Sequence, residues 1–221
     1  MKDIPIFINN FNRLKPVVDL AECLLKRNYN NIFIIDNAST YPGLLEWYDK
    51  RLVNIIKLNQ NLGPGAIDQL PTIKPQDRLY VWTDSDIVPV NEIPDDFLGH
   101  MAEMMKELKI PKLGLSLKID DLPDHYKHKQ EVIKHESVFT TYGHVDTKYC
   151  RVYKAPTDTT FAINIPGIPC GYNGDACRTG APYTARHAPW YYDSNNLPED
   201  EKLLRANVPA HHHTHWSKKE G

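Results

Sequence analysis

The chain has 221 residues, 41% of them hydrophobic and 24% charged, which is enough for one sizeable core. With 26 basic and 28 acidic side chains it has a formal charge of −2, so it offers no basic field for nucleic acid or an anionic membrane. The N-terminal Met1-Lys2-Asp3 runs straight into Ile4-Pro5-Ile6-Phe7-Ile8, too short an apolar stretch for a signal peptide, and no later run approaches a membrane span; a cytoplasmic location is expected. Cys23, Cys150, Cys170 and Cys177 lack Cys-x-x-Cys spacing and read as free thiols.

In chain order, residues 4–8 form a short apolar strand. Leu14, Val17, Val18, Ala21, Leu24 and Leu25 then recur at helical spacing, with Asn12 as the expected cap. Strand 32–35 precedes a helix carrying Leu44, Leu45 and Tyr48. Strands at 53–58 and 79–82 follow, and Phe97, Leu98, Met101, Met104, Met105 and Leu108 mark a further helix opened by Pro94 and Asp95-Asp96. Near-continuous apolar strands alternating with helices imply a mostly parallel sheet covered on both faces. Beyond residue 118 the pattern loosens into Pro-, Gly-, Tyr- and His-rich stretches with helices expected near 124–136 and 198–206. One domain over 1–221 is expected, with a regular strand–helix half (1–118) and a loop-rich half (119–221).

Ligands of open parallel sheets bind beyond the carboxyl ends of the strands. Polar residues fall there four times over: Asn9-Asn10-Phe11-Asn12-Arg13, Asp36-Asn37-Ala38-Ser39-Thr40, Asn61-Leu62-Gly63-Pro64-Gly65 and Asp84-Ser85-Asp86. Any one of these is ordinary turn or cap chemistry. Together they suggest a site, and the paired carboxylates of Asp84 and Asp86 suit Mn²⁺ or Mg²⁺ carrying a nucleoside diphosphate. There is no Walker ending and no Gly-x-Gly-x-x-Gly, which argues against a P-loop NTPase and a dinucleotide dehydrogenase.

In order and spacing, Ile6-Phe7-Ile8-Asn9-Asn10-Phe11-Asn12-Arg13, Ile34-Ile35-Asp36-Asn37-Ala38-Ser39-Thr40, Asn61-Leu62-Gly63-Pro64-Gly65 and Thr83-Asp84-Ser85-Asp86 resemble the motifs of GT-A-fold glycosyltransferases of the family 2 type. Stretches around Asp120-Asp121, Thr157-Asp158-Thr159-Thr160 and Arg186-His187-Ala188-Pro189-Trp190 look like a bacterial and viral subgroup of small transferases. The resemblance implies a GT-A-type, Rossmann-like α/β fold and a metal-dependent transfer from a nucleotide sugar, expected to be UDP-linked, to a hydroxyl acceptor such as a glycan, with inversion. It implies a nucleotide site of Asn9, Phe11, Arg13, Asp36, Asn61, Gly63 and Asp84, with Phe11 stacking on uracil and Asp36 accepting from the base. Asp86 would hold the metal, with Asp84 on ribose or metal. Asn37 stands where many relatives carry a second acid, and the later Glu-Asp pair bearing the general base is not evident.

For that base, Asp158, Asp175 and Asp193 are candidates, and Asp158 is preferred because it precedes the apolar run Phe161-Ala162-Ile163. His187 and the 211–215 histidine group, including His215, are candidate metal ligands. Arg178 and Arg186 are candidate phosphate partners, and Trp190, Tyr191 and Tyr192 form a candidate platform for a sugar face. A sugar-nucleotide nucleotidyltransferase is the runner-up enzyme, although its Gly-rich basic N-terminal loop is missing. A non-enzymatic metal- or carbohydrate-binding module is the other alternative.

Overall fold

The computed structural model describes residues 1–157 and 160–207. The strands are β1 (Ile6–Asn10), β2 (Ile32–Asp36), β3 (Asn54–Lys57), β4 (Tyr80–Asp84), β5 (Ile87–Pro89), β6 (Lys112–Gly114), β7 (Ser116–Leu117), β8 (His144–Asp146), β9 (Arg151–Tyr153), β10 (Ala162–Asn164), β11 (Ala176–Thr179) and β12 (Thr184–His187). The helices are α1 (Lys15–Lys26), α2 (Pro42–Tyr48), α3 (Phe97–Leu108), α4 (Lys129–Ser137) and α5 (Glu199–Asn207). Nine strands form one sheet in the order β3-β2-β1-β4-β10-β6-β11-β9-β8, and β5-β12-β7 form a second. The first four strands of the large sheet are mutually parallel; β10 runs antiparallel between β4 and β6.

Side-chain alternation explains the layering. Ile6, Ile8, Ile32, Ile34 and Val81 face helices α1, α2 and α3 in the main core, among Val17, Leu20, Leu24, Leu44, Phe97 and Met101. Phe7, Ile35, Tyr80 and Trp82 face the other side, where Ala66, Ile67 and Cys170 cover them. The methionine stripe of α3 is therefore core. No helix intervenes between β3 and β4, where a 3₁₀ turn, Ala66–Gln69, does the covering.

Several sequence expectations need correction. Residues beyond 118 are loop-rich, but they also supply β8 to β12, and β10 sits in the middle of the large sheet. Helix α3 starts at Phe97, after Pro94 and the Asp95-Asp96 pair. Asn12 does not cap α1. Its backbone adopts φ 57°, and its Oδ1 accepts from the amides of Thr40 and Tyr41 at 2.7 and 3.0 Å, ordering the start of α2. The α1 amides of Leu14 and Lys15 are instead held by Asp200 Oδ2 from α5, at 2.8 and 3.2 Å.

Candidate functional site

Parallel register sets the site. Asn9 of β1 lies beside Asp84 of β4, and Asn10 lies beside Asp36 of β2, which lies beside Lys57 of β3. The polar strand ends therefore share one edge of the sheet. Asn9 Nδ2 donates to Asp84 Oδ1 at 3.3 Å and to the Gly63 carbonyl at 3.4 Å. Asn37 Nδ2 donates to Asn9 Oδ1 at 2.7 Å, and Asn37 Oδ1 accepts from the Leu62 amide at 3.0 Å. Asn61 Oδ1 accepts from the Gly63 amide at 2.8 Å, and Gly63 takes φ 76°, a conformation that favours glycine. Asn37 thus ties three strand ends and the 61–65 loop into one frame. An amide can do this because it donates and accepts at once, whereas an ionised carboxylate at this position could only accept.

Asp36 is the buried anchor beneath this edge. Its Oδ1 accepts from the Tyr48 hydroxyl at 3.0 Å and its Oδ2 from the Ser39 amide at 3.1 Å. Asn10 Nδ2 donates to the same Tyr48 hydroxyl at 3.0 Å. Burial and the neighbouring Asp36 push the Tyr48 hydroxyl well above its ordinary value, so it remains a donor. Both Asp36 oxygens are engaged by protein, while Phe11 and Asp84 are only half-buried at the mouth. Ala38 follows at φ 59°, a left-handed conformation costly for a residue with a Cβ.

Asp86 lies deeper, 2% exposed. Its Oδ2 meets Arg13 Nη1 at 2.6 Å and His187 Nε2 at 3.2 Å. Strand β12 brings His187 there by pairing it with Ile87, and the Ala188 amide donates to the Asp86 carbonyl at 2.8 Å. Burial opposes ionisation of Asp86, but Arg13 and then His187 more than offset it and hold the carboxyl well below the usual range. Arg13 Nε also binds Glu201 Oε2 at 3.1 Å, and Arg205 Nε binds Glu201 Oε1 at 2.9 Å. Burial again opposes charge on Arg13, yet Asp86 and Glu201 keep its guanidinium firmly protonated.

Among the described residues, no group of three or more His, Cys, Asp or Glu side chains converges on a point where a metal could sit. A hard ion that keeps several waters and takes one or two carboxylates plus substrate phosphates makes a smaller demand. Asp84 fits that demand at the half-buried edge, whereas Asp86 Oδ2 is held by Arg13 Nη1 and His187 Nε2 in this structure.

Other candidates divide. Arg178 is buried, with its Nη1 2.8 Å from Glu136 Oε2 and its guanidinium over the Phe139 ring, so it serves the core rather than phosphate. Arg186 pairs with Asp121, which also accepts from the Tyr191 hydroxyl. Trp190 is buried with Leu122, Tyr126 and Val132, and is core rather than platform, although its ring lies 4.7 Å from that of His187. Asp175 and Asp193 are exposed. Asp158 and the 211–215 histidines lie outside the described residues. Sequence reasoning missed Glu201, Asp200 and Tyr48 as site-building residues. Only the acidic run Glu199-Asp200-Glu201 hinted at the first two.

No protein-family model matches the chain, and no curated protein is significantly similar to it. Solved structures are. The mannosyltransferase PcManGT from Pyrobaculum calidifontis, in complex with GDP-Man and Mn²⁺, aligns with TM-score 0.53 and 12% identity over 84% of this chain and 56% of its own. The fold is similar to that of GT-A glycosyltransferases. S. aureus TarS 1-349 aligns with TM-score 0.50 and 14% identity over 92% of this chain and 64% of its own. The chain thus spans less than two thirds of the length of either. A cytidylyltransferase from Leptospira borgpetersenii reaches only TM-score 0.36. Among the described residues, no helix is long and apolar enough to cross a membrane.

Proposed function

We propose that this chain is a divalent-metal-dependent glycosyltransferase of the family 2 type, moving a sugar from a nucleoside diphosphate, UDP by preference, to a hydroxyl acceptor with inversion. The observation that carries the reading is the hydrogen-bonded frame Asn37–Asn9–Asp84 with the Gly63 loop, which aligns the ends of three parallel strands around one acidic edge. In this reading residues 1–118 hold the donor. Phe11 offers its ring to the base, Asn61 and Gly63 border the nucleotide, and Asp36 with Tyr48 fixes the floor. Asp84 and Asp86 would hold Mn²⁺ or Mg²⁺, which supplies Lewis acidity toward the departing diphosphate when bound.

Inverting transfer also needs a carboxylate opposite the leaving group to take the acceptor's proton. Asp158 is assigned that task, and residues 119–221 are assigned the acceptor walls and the exclusion of water. His187 is assigned to orient Asp86, the partner it already touches, in place of the direct ligand role expected from sequence. The test is incubation of the purified chain with UDP- and GDP-linked sugars in Mn²⁺ or EDTA. Slow metal-dependent release of nucleoside diphosphate is expected. A requirement for pyrophosphate or a nucleoside triphosphate, or no turnover and no nucleotide binding at all, would refute the reading.

A further inference from the structure

Arg13 stands between two buried carboxylates brought from distant parts of the chain. Nη1 lies 2.6 Å from Asp86 Oδ2, and Nε lies 3.1 Å from Glu201 Oε2. Asp86 and Glu201 are each 2% exposed, and the Arg13 side chain is 20% exposed. Different nitrogens of the guanidinium serve the two acids, so losing the Nη1–Asp86 contact does not by itself break the Nε–Glu201 contact. Uncompensated charge in such surroundings is expensive. A lone Asp86 therefore needs a cation beside it, and Arg13 needs a second seat if another cation is to take that place.

Resting on the metal-dependent reading above, we propose that Arg13 is a built-in competitor of the divalent ion. It neutralises Asp86 before metal arrives, and it is retained by Glu201 of α5 when the ion takes over the carboxylate. Helix α5 thereby becomes part of the metal switch, because Glu201 decides how readily Arg13 lets go. Arg205 Nε at 2.9 Å from Glu201 Oε1 keeps that acid in place for the exchange.

The experiment is Mn²⁺ binding to the full chain, followed by the electron paramagnetic resonance signal of free Mn²⁺, alone and with UDP or GDP. Arg13→Gln should bind Mn²⁺ up to about fivefold more tightly, the upper end of the scale for a partly exposed charge pair. Glu201→Gln should bind it several-fold more weakly, because Arg13 then loses the acid that holds its Nε and leans more heavily on Asp86. The double variant separates a seat from simple charge attraction: with Arg13 gone, Glu201→Gln should have no further effect, whereas independent electrostatics would add. Unchanged or weaker Mn²⁺ binding by Arg13→Gln would overturn the proposal, as would additive effects in the double variant. Should Arg13→Gln fail to fold by circular dichroism, tighter or unchanged binding by Glu201→Gln overturns it alone. A wild-type chain that binds no Mn²⁺ even with UDP or GDP would refute the metal-dependent reading itself. Normal wild-type binding with unmoved variants would refute only the competition.

Discussion

Removing the Asp200 carboxylate should loosen the start of α1 and the Arg13 turn before it. Helix α1 has no side-chain cap from its own N-terminal residue, Leu14. Asp200, 5% exposed, supplies the acceptor instead, taking the Leu14 and Lys15 amides on one oxygen. Losing a helix N-cap costs about 0.5–2 kcal/mol, and leaving a buried donor without its partner costs about 1–3 kcal/mol. These overlap, because the same amides are counted in both, so Asp200→Ala should cost about 2 kcal/mol. At roughly 2–4 °C per kcal/mol for a chain of this size, that is a fall in Tm of about 4–8 °C. Asp200→Asn keeps an oxygen acceptor and loses only the charge facing the helix dipole, about 0.3–1 kcal/mol. Urea unfolding followed by circular dichroism, with midpoints compared at equal slope, measures both. An Asp200→Ala variant within about 0.5 kcal/mol of wild type, or an Asn variant as unstable as the Ala variant, would refute this account.

Asp86→Asn should lower turnover by roughly 10²-fold or more and weaken UDP binding in Mn²⁺, as read by calorimetry; unchanged values for both would remove Asp86 from the site. Asp158→Asn should cut kcat by about 10²–10⁴-fold while nucleotide affinity stays near wild type, and loss of transfer in Asp175→Asn or Asp193→Asn instead would reassign the base. Tyr48→Phe leaves Asp36 Oδ1 and Asn10 Nδ2 without the hydroxyl that joins them, so chemical denaturation should show a loss of about 1–3 kcal/mol. The depressed Asp86 carboxyl stabilises the fold fully above its unfolded value of about 3.9, and this contribution is lost as pH falls through the carboxylate range below it. The stability gap between wild type and Asp86→Asn should therefore shrink from about pH 5 to pH 2, and a constant gap would mean that Asp86 is not held ionised by Arg13.

Much of the first half was legible because β1, β2 and β4 are buried on both faces. Ile6, Phe7 and Ile8, then Ile32, Ile34 and Ile35, read as continuous apolar runs, and each run stops at the carboxyl edge, where buried Asn10 and Asp36 take up hydrogen bonds. That is why Asn9, Asp36 and Asp84 could be gathered from sequence alone. The second half is written differently. Strands β8 to β12 are three or four residues long, too short to show a period, although β10 overlaps the apolar run Phe161-Ala162-Ile163. Their pairing partners, not their own pattern, make them strands.

The residues by themselves determined which chemistry was present: carboxylates, amides and a glycine turn at the ends of apolar strands. Only the tertiary structure decided how those groups are committed. Asp84 stands at the mouth and Asp86 sits beneath Arg13 and His187; Asn12 serves α2, while Asp200 and Glu201 reach back across nearly the whole chain to Leu14 and Arg13. The physical reason is that burial and local periodicity are written along the chain, whereas a charge takes its partner from whatever element packing brings within about 3 Å, and that distance carries no signal in sequence separation.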